Sequence, residues 1–251
     1  MKDIDAEPIT TVSYFRFEGA LDRLWAFTQM GLSRRALART PGIGFHKMMG
    51  TGVGEGFTPV PNFGLYAILA VWSDLASAQE RITASPVYDR YRARAAEQYT
   101  VYLRPVSAMG AWSGQQPFVI EGQRPPPQPI AVLTRATLKP RNTVRFWKRA
   151  PSVSDTIGAN PDVLFKAGMG EVPWLQQVTF SIWPDIKSMS RFAYRSQAHS
   201  RAIRAVRAGN WFREELYARF AVVGASGTLN GQDPVTPHLD MRASDTVTEA
   251  H

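Results

Sequence analysis

Hydrophobic and polar positions along this chain divide it into short segments whose order occurs twice. Thr10–Phe17, Gly44–Met49, Leu65–Trp72 and Tyr99–Ala108 read as strands, the third almost wholly apolar and the last rich in β-favouring residues. Between them, Leu21–Ala38 has the spacing of an amphipathic helix. Leu75–Gln98 also reads as helix, interrupted at Ser85-Pro86, where Ser can cap and Pro can occupy a first turn. The order then recurs: strand Ile130–Leu138, short helix Arg141–Lys148, strands Val163–Ala167 and Gln177–Trp183, helix Ile186–Arg207, strand Leu216–Val223.

Weak identities follow the same order. Ala70-Val71-Trp72-Ser73-Asp74 answers Ser181-Ile182-Trp183-Pro184-Asp185 at a spacing of 111 residues, and Arg23-Leu24-Trp25 answers Arg145-Phe146-Trp147 at 122. Trp112-Ser113-Gly114 answers Leu229-Asn230-Gly231 at 117, and loop insertions account for the drift. Each half therefore predicts a βαββαβ, ferredoxin-like unit. Both helices of such a unit lie on one face of its sheet, so the other face is apolar and uncovered. Two sheets facing each other solve that problem. The expected fold class is α+β, two tandem ferredoxin-like repeats forming an intramolecular dimeric α+β barrel around a ligand cavity. The expected divisions are 9–114, a Pro-rich linker over 115–129, 130–231, and a polar, disordered tail over 232–251.

Composition narrows the function classes. Apolar residues make up 44% and charged residues 20% of 251, enough to bury a core. The longest strongly apolar run, Leu65–Trp72, is far short of the roughly 20 residues that span a bilayer. MKDIDAEPIT lacks the pattern of a secretory leader. The expected location is therefore cytoplasmic, peripheral to the inner membrane. The absence of cysteine excludes disulfides, thiolate metal sites and a Cys nucleophile. The net charge of +8 is mostly arginine in predicted helices such as 90–94 and 200–207. No nucleic-acid-binding motif accompanies it, which leaves a solvated face, an anionic membrane surface or an anionic cofactor as the charge's partner.

Few motifs carry chemistry. Gly50–Gly56 imitates a dinucleotide fingerprint, but Pro59 and Pro61 follow it and no helix begins there, so it predicts a loop between two strands, plain or lid-like. Walker, GxSxG and HExxH sequences are absent. Of four histidines, His238 and His251 fall in the tail and His46 falls in a strand. His199 shares an apolar helical stripe with Ile203 and Val206 among several arginines. That setting suits a haem, with His for iron and Arg for propionates, and it equally suits a core histidine bonded to a backbone carbonyl. Trp25, Trp72, Trp147, Trp174, Trp183 and Phe180 fit either a pocket for a long apolar ligand or ordinary core.

Three stretches decide between such readings. LWAFTQMGLSRRALARTPGIGFHKMMGTGVGEGFTPVPN, FKAGMGEVPWLQQVTFSIWPD and RAIRAVRAGNWFREELYARF closely resemble the spheroidene monooxygenase family of carotenoid biosynthesis, from about Ser13 to Pro234. The resemblance implies a haem b, O2-dependent enzyme that oxidises acyclic carotenoids at C-2, giving spheroidenone from spheroidene by successive hydroxylations. An external donor such as reduced ferredoxin supplies the electrons. A wider resemblance, to haem proteins of the dimeric α+β barrel fold, puts the iron ligand on a helix of the C-terminal repeat, which marks His199 over His46. Arg201 and Arg204 then stand as the propionate partners. Trp174 and Phe180 are expected to line the cavity, with Lys166, Glu171 and Gln177 as candidate distal polar groups. Two other uses of the fold stay open: a haem lyase of the aldoxime-dehydratase kind, and a barrel that binds haem or an apolar ligand without turnover.

Overall fold

The computed structural model describes residues 7–54, 58–121, 129–148, 160, 162–195 and 209–239. Eight strands close into an antiparallel barrel in the order β1-β3-β2-β6-β7-β5-β8-β4. The first repeat holds β1 (Ile9–Arg16), α1 (Ala20–Leu32), α2 (Arg34–Ala38), β2 (Ile43–Gly52), β3 (Pro61–Trp72), α3 (Leu75–Ala84), α4 (Pro86–Arg92) and β4 (Glu97–Gly110). The second holds β5 (Ile130–Leu138), a 3-10 turn over Pro140–Asn142, α5 (Thr143–Trp147), β6 (Phe165–Gly170), β7 (Gln176–Trp183), α6 (Ile186–Arg195) and β8 (Phe212–Gly227). The expected fold class is the one observed.

Local chemistry sets the element ends. The carboxylate of Asp74 accepts from the backbone N–H of Ser77 at 2.7 Å, and Asp185 accepts from Ser188 at 2.7 Å, so both halves start a helix with the same cap. The single helix expected over Leu21–Ala38 breaks at Ser33, a buried hydroxyl that donates to the Gln29 side chain. The helix expected to reach Gln98 ends at Arg92, and β4 starts at Glu97, because Ala96 and the residues after it pair with β1.

Two seams join the repeats. β4 and β8 run side by side from Tyr99↔Gly227 to Gly110↔Leu216, whereas β2 and β6 meet only at Gly50↔Gly170 and Thr51↔Met169. The ends of β4 and β8 carry the repeat in its sharpest form. After each strand comes a turn with a non-glycine residue at positive φ, Ser113 (55°) and Asn230 (58°), followed by Gly114 and Gly231. One carboxylate caps each turn: Glu214 accepts from the N–H groups of Ser113 and Gly114, and Glu97 from those of Asn230 and Gly231. A cation backs each carboxylate, Arg135 for Glu214 and Arg16 for Glu97.

The barrel interior differs from expectation. It is packed with side chains, among them Tyr14, Met49, Leu69, Tyr99, Leu133, Phe180 and Phe220, all essentially inaccessible to water. The stretches expected as linker and tail contribute to this filling. Phe118 is buried edge-on against Phe220 with ring centroids 4.9 Å apart, and Val235 is fully buried in the same cluster. Each repeat thus ends not at its last strand but at an apolar plug a few residues later. Burial of those plugs is what orders the chain there.

Candidate functional site

Inside a closed barrel, residues of a strand alternate between interior and helix-facing positions. Cross-strand pairing therefore lists the helix-facing layer of each repeat. In the first repeat Met48 pairs with Ile68, Phe15 with Tyr66, and His46 with Ala70. The corresponding pairs of the second repeat are Gly168 with Thr179, Ala136 with Gln177, and Lys166 with Ser181. Four replacements lose bulk or apolar surface, Met to Gly, Ile to Thr, Phe to Ala and Tyr to Gln, whereas His46 to Lys166 and Ala70 to Ser181 do not.

The consequences for packing are plain. On the first repeat's sheet, Phe15, Met48, Tyr66 and Ile68 form a dense cluster with Ala26, Leu37, Ile82, Tyr88 and Tyr91 from the four helices. Its rings interlock, with Phe15 4.9 Å from Tyr91 and Trp25 5.1 Å from Tyr91. On the second sheet, the described apolar cluster is confined to one end, where Ile130 and Trp183 meet Met189 and Phe192 of α6. Beyond that end Thr134, Gln177, Thr179 and Ser181 are half-buried, and they present hydroxyls and an amide rather than bulk. The first repeat's layer is thus filled by its own side chains, and among the described residues the second is smaller or more polar at four matched positions.

His199, Arg201 and Arg204 lie outside the described residues, in the stretch that follows α6 and precedes β8. His46 lies on the packed first-repeat face. It is half-buried, its pKa is lowered chiefly by that burial, and its ring donates to the backbone carbonyl of Arg34. Lys166, the position equivalent to His46, and Gln177 face the helix side of the second sheet.

Three expected site residues sit elsewhere. Phe180 points into the filled barrel, because its pairing places it opposite Leu133. Trp174 stands on the outer surface at positive φ, about half exposed, its indole N–H bonded to the carbonyl of Pro59. Glu171 belongs to a polar plug in the barrel mouth, where it pairs with Lys47 at 3.0 Å and accepts from the Trp112 indole at 2.6 Å. Lys47 and Arg135 lie 5.8 and 5.7 Å from the Trp112 ring. Burial alone would raise Glu214, but the N–H groups of Gly114 and Ser113 and the guanidinium of Arg135 outweigh it and hold the carboxyl below its ordinary value. These groups fix the mouth of the barrel.

The glycine-rich segment extends β2 to Gly52, and Val53 then pairs with Val60 across a hairpin. Pro59 of this hairpin reaches the second repeat. Pro59, Val144, Trp147, Lys148 and Trp174 enclose an open apolar groove of about 460 Å³. A second cavity of about 290 Å³ lies at the β2·β6 seam, beside Leu65, Phe165 and Leu229. No cluster of His, Cys, Asp and Glu able to hold a metal occurs among the described residues.

The chain is 49% identical over 236 residues to a spheroidene monooxygenase of Cereibacter sphaeroides, covering 94% of this chain and 73% of that one. It is 44% identical over 230 residues to that of Rhodobacter capsulatus, covering 91% and 95%. This chain belongs to the spheroidene monooxygenase family. A family member from Rubrivivax gelatinosus is 33% identical over 210 residues, 84% of this chain and 80% of that one. No family model matches the chain. Two solved aldoxime dehydratases share the fold at 11% identity. One has a TM-score of 0.60 and covers 88% of this chain and 83% of its own. The other, in complex with butyraldoxime, has a TM-score of 0.63 and covers 95% and 87%.

Proposed function

We propose that this chain is a haem-dependent monooxygenase that oxidises the C-2 end of acyclic carotenoids, converting spheroidene to spheroidenone by successive hydroxylations. The names of its relatives support a monooxygenase acting on spheroidene. The observation that carries the cofactor reading is the thinning of the second repeat's helix-facing layer. A flat, largely apolar group would need a slot between sheet and helix, and the exchanges Met48 to Gly168, Ile68 to Thr179 and Phe15 to Ala136 support one on the second sheet. The smaller side chains of that layer favour a haem there over the packed first-repeat layer.

His199, on the segment that follows α6, is the proposed iron ligand, and Arg201 and Arg204 are the proposed partners of the propionates. Haem bound there would supply O2 activation and hydrogen abstraction from the activated carbon at the polyene end. The chain's own task is to position that end, exclude bulk water and leave room for the flat group. Thr134, Thr179 and Ser181 give the slot a wall of short hydroxyls, while Lys166 and Gln177 set polar groups at its edge. Each hydroxylation consumes O2, two electrons from an external donor and two protons, and releases water. A second hydroxylation at the same carbon gives a gem-diol that loses water to the ketone.

The test is the visible spectrum of protein produced with ample haem, beside a His199→Ala variant. A Soret band that shifts or disappears in the variant supports the reading. An identical band in both removes His199 as the ligand, and specific haem uptake by neither refutes the haem reading. Product that depends on both O2 and a reductant separates an oxygenase from a lyase of the aldoxime-dehydratase kind. Recovery of the carotenoid unchanged would mark a binding protein.

A further inference from the structure

No helix among the described residues is long and apolar enough to cross a membrane, yet one surface is apolar where a water-facing helix should be polar. On α1, Leu21, Leu24, Phe27 and Leu32 are between 54% and 80% exposed. At 100° per residue they fall, with exposed Thr28 and Gly31, on one uncharged arc. The opposite arc is accounted for: Ala26 and Gln29 are buried, and Trp25 and Met30 pack on the core. Among the described residues, none covers the apolar arc.

The apolar surface continues past the helix. Phe27 meets exposed Phe63 at 5.8 Å between ring centroids, at the base of the β2–β3 hairpin. Val53 and Val60, paired across that hairpin, are also exposed. Further along the hairpin the Pro59 carbonyl accepts from Trp174, whose own carbonyl accepts from Trp147, and exposed Val144 completes the groove between them. The strip thus runs across the β2·β6 seam from the first repeat to the second. Scattered exposed apolar residues need no explanation, but a continuous strip does.

Charge identifies the occupant. Segments 19–40, 53–63, 139–148 and 171–174, which build the strip, contain Arg23, Arg34, Arg35, Arg39, Lys139, Arg141, Arg145 and Lys148 against three acids, Asp22, Glu55 and Glu171, of which Asp22 is paired with Arg94 and Glu171 with Lys47. An apolar helical arc, tryptophans at its edge and a rim of cations is the composition that anionic bilayer surfaces select. A protein partner of comparable chemistry would need an extended acidic and apolar face in one piece.

We propose that α1, the β2–β3 hairpin and the Trp147–Trp174 groove form a docking surface for an anionic lipid bilayer, with the α1 side chains entering the headgroup–acyl boundary. The surface would bring the protein to a membrane-dissolved substrate. Its purpose rests on the carotenoid reading; its existence rests only on the residues above.

The test uses the full chain without haem and vesicles without carotenoid, so that its outcome is independent of the oxygenase reading. Vesicles of phosphatidylcholine alone are compared with vesicles that also contain phosphatidylglycerol, in a sedimentation assay at low and high salt. The expected result is binding to the anionic vesicles that weakens with salt. Leu24→Glu/Phe27→Glu is expected to lower it at least tenfold. Arg34→Gln/Arg35→Gln is expected to lower it about 25-fold, about fivefold for each charge. Met109→Glu, at an exposed apolar position on the opposite seam, is expected to bind as the parent does. Circular dichroism checks each fold, and should the glutamate pair not fold, the arginine pair decides. Three results would overturn the proposal: no binding by the parent, equal binding by all variants, or a concentration-dependent self-association that the α1 variant abolishes in place of vesicle binding.

Discussion

Restoring the first repeat's bulk to the second sheet tests whether the thinned layer is a slot or merely another packing solution. The double variant Gly168→Met/Thr179→Ile copies Met48 and Ile68, which occupy the matching cross-strand pair and are 2% and 0% exposed. If the second layer were already filled, overpacking would cost about 1–3 kcal/mol at each site, so roughly 2–6 kcal/mol together. Against a total stability of about 5–15 kcal/mol, that loss would drop the melting temperature severely. If the layer is a slot, the added side chains meet space, and each newly buried methylene contributes about 0.8 kcal/mol in the other direction. The apoprotein should then melt at or above the parent temperature. Haem uptake, read from a Soret titration, should weaken at least tenfold, which corresponds to about 1.4 kcal/mol of lost binding. A folded variant that takes up haem as the parent does would refute the slot, and a severely destabilised apoprotein would show the layer to be full.

Removing the carboxylate from each twin turn should give unequal losses. Glu214→Ala leaves Arg135, whose side chain is 1% exposed, without its counter-ion, and is expected to cost about 3–5 kcal/mol in a denaturant melt. Glu97→Ala should cost less, because Arg16 stays 31% exposed and within reach of water. Glu97 is held below its ordinary value first by the Gly231 N–H, and Glu214 is likewise lowered. The stability these carboxylates contribute is therefore complete above the ordinary carboxylate range and is lost as pH falls through their lowered folded values. Both variants should show a flatter stability profile under acid. Gly110→Ala, at φ +99° and with a new Cβ 2.1 Å from the Glu215 carbonyl oxygen, should cost roughly 3 kcal/mol or more. His46 is favoured neutral in the fold, so stability is full above its ordinary value and falls as pH drops through the lowered one; His46→Gln should remove that step in melts taken across the range.

The strand order was legible because the repeat constrained it. Trp72 and Trp183 hold the same place, paired with Ile9 and Ile130 at the start of each repeat's first strand, and Asp74 and Asp185 cap the helices that follow. What the pattern misjudged were the ends. Phe118 and Val235 stand in polar, proline-rich surroundings and look like linker and tail by composition. Their burial arises from a barrel mouth assembled by strands more than a hundred residues away. The interior filling was hidden for the same reason. Alternation shows which residues face inward, but not whether their combined volume leaves a hole.

The candidate site had a different visibility. A histidine on an apolar helical stripe was conspicuous, whereas the sheet it would face was not, since Gly168, Thr179 and Ala136 are unremarkable one at a time. They carry meaning only against Met48, Ile68 and Phe15, and that comparison needs strand register, because a one-residue slip would exchange interior and helix-facing sets. Once register is known, the two layers act as an internal control. Both inherit the same backbone pairing, so topology does not account for Met48, Ile68, Phe15 and Tyr66 on one sheet against Gly168, Thr179, Ala136 and Gln177 on the other. A mere loosening of the second layer would be costly, since each buried large-to-small change without a new occupant loses about 2–5 kcal/mol. Several such losses at one layer require either compensating chain or a bound group to fill the space. The His199→Ala spectrum and the Gly168→Met/Thr179→Ile titration distinguish those two fillers.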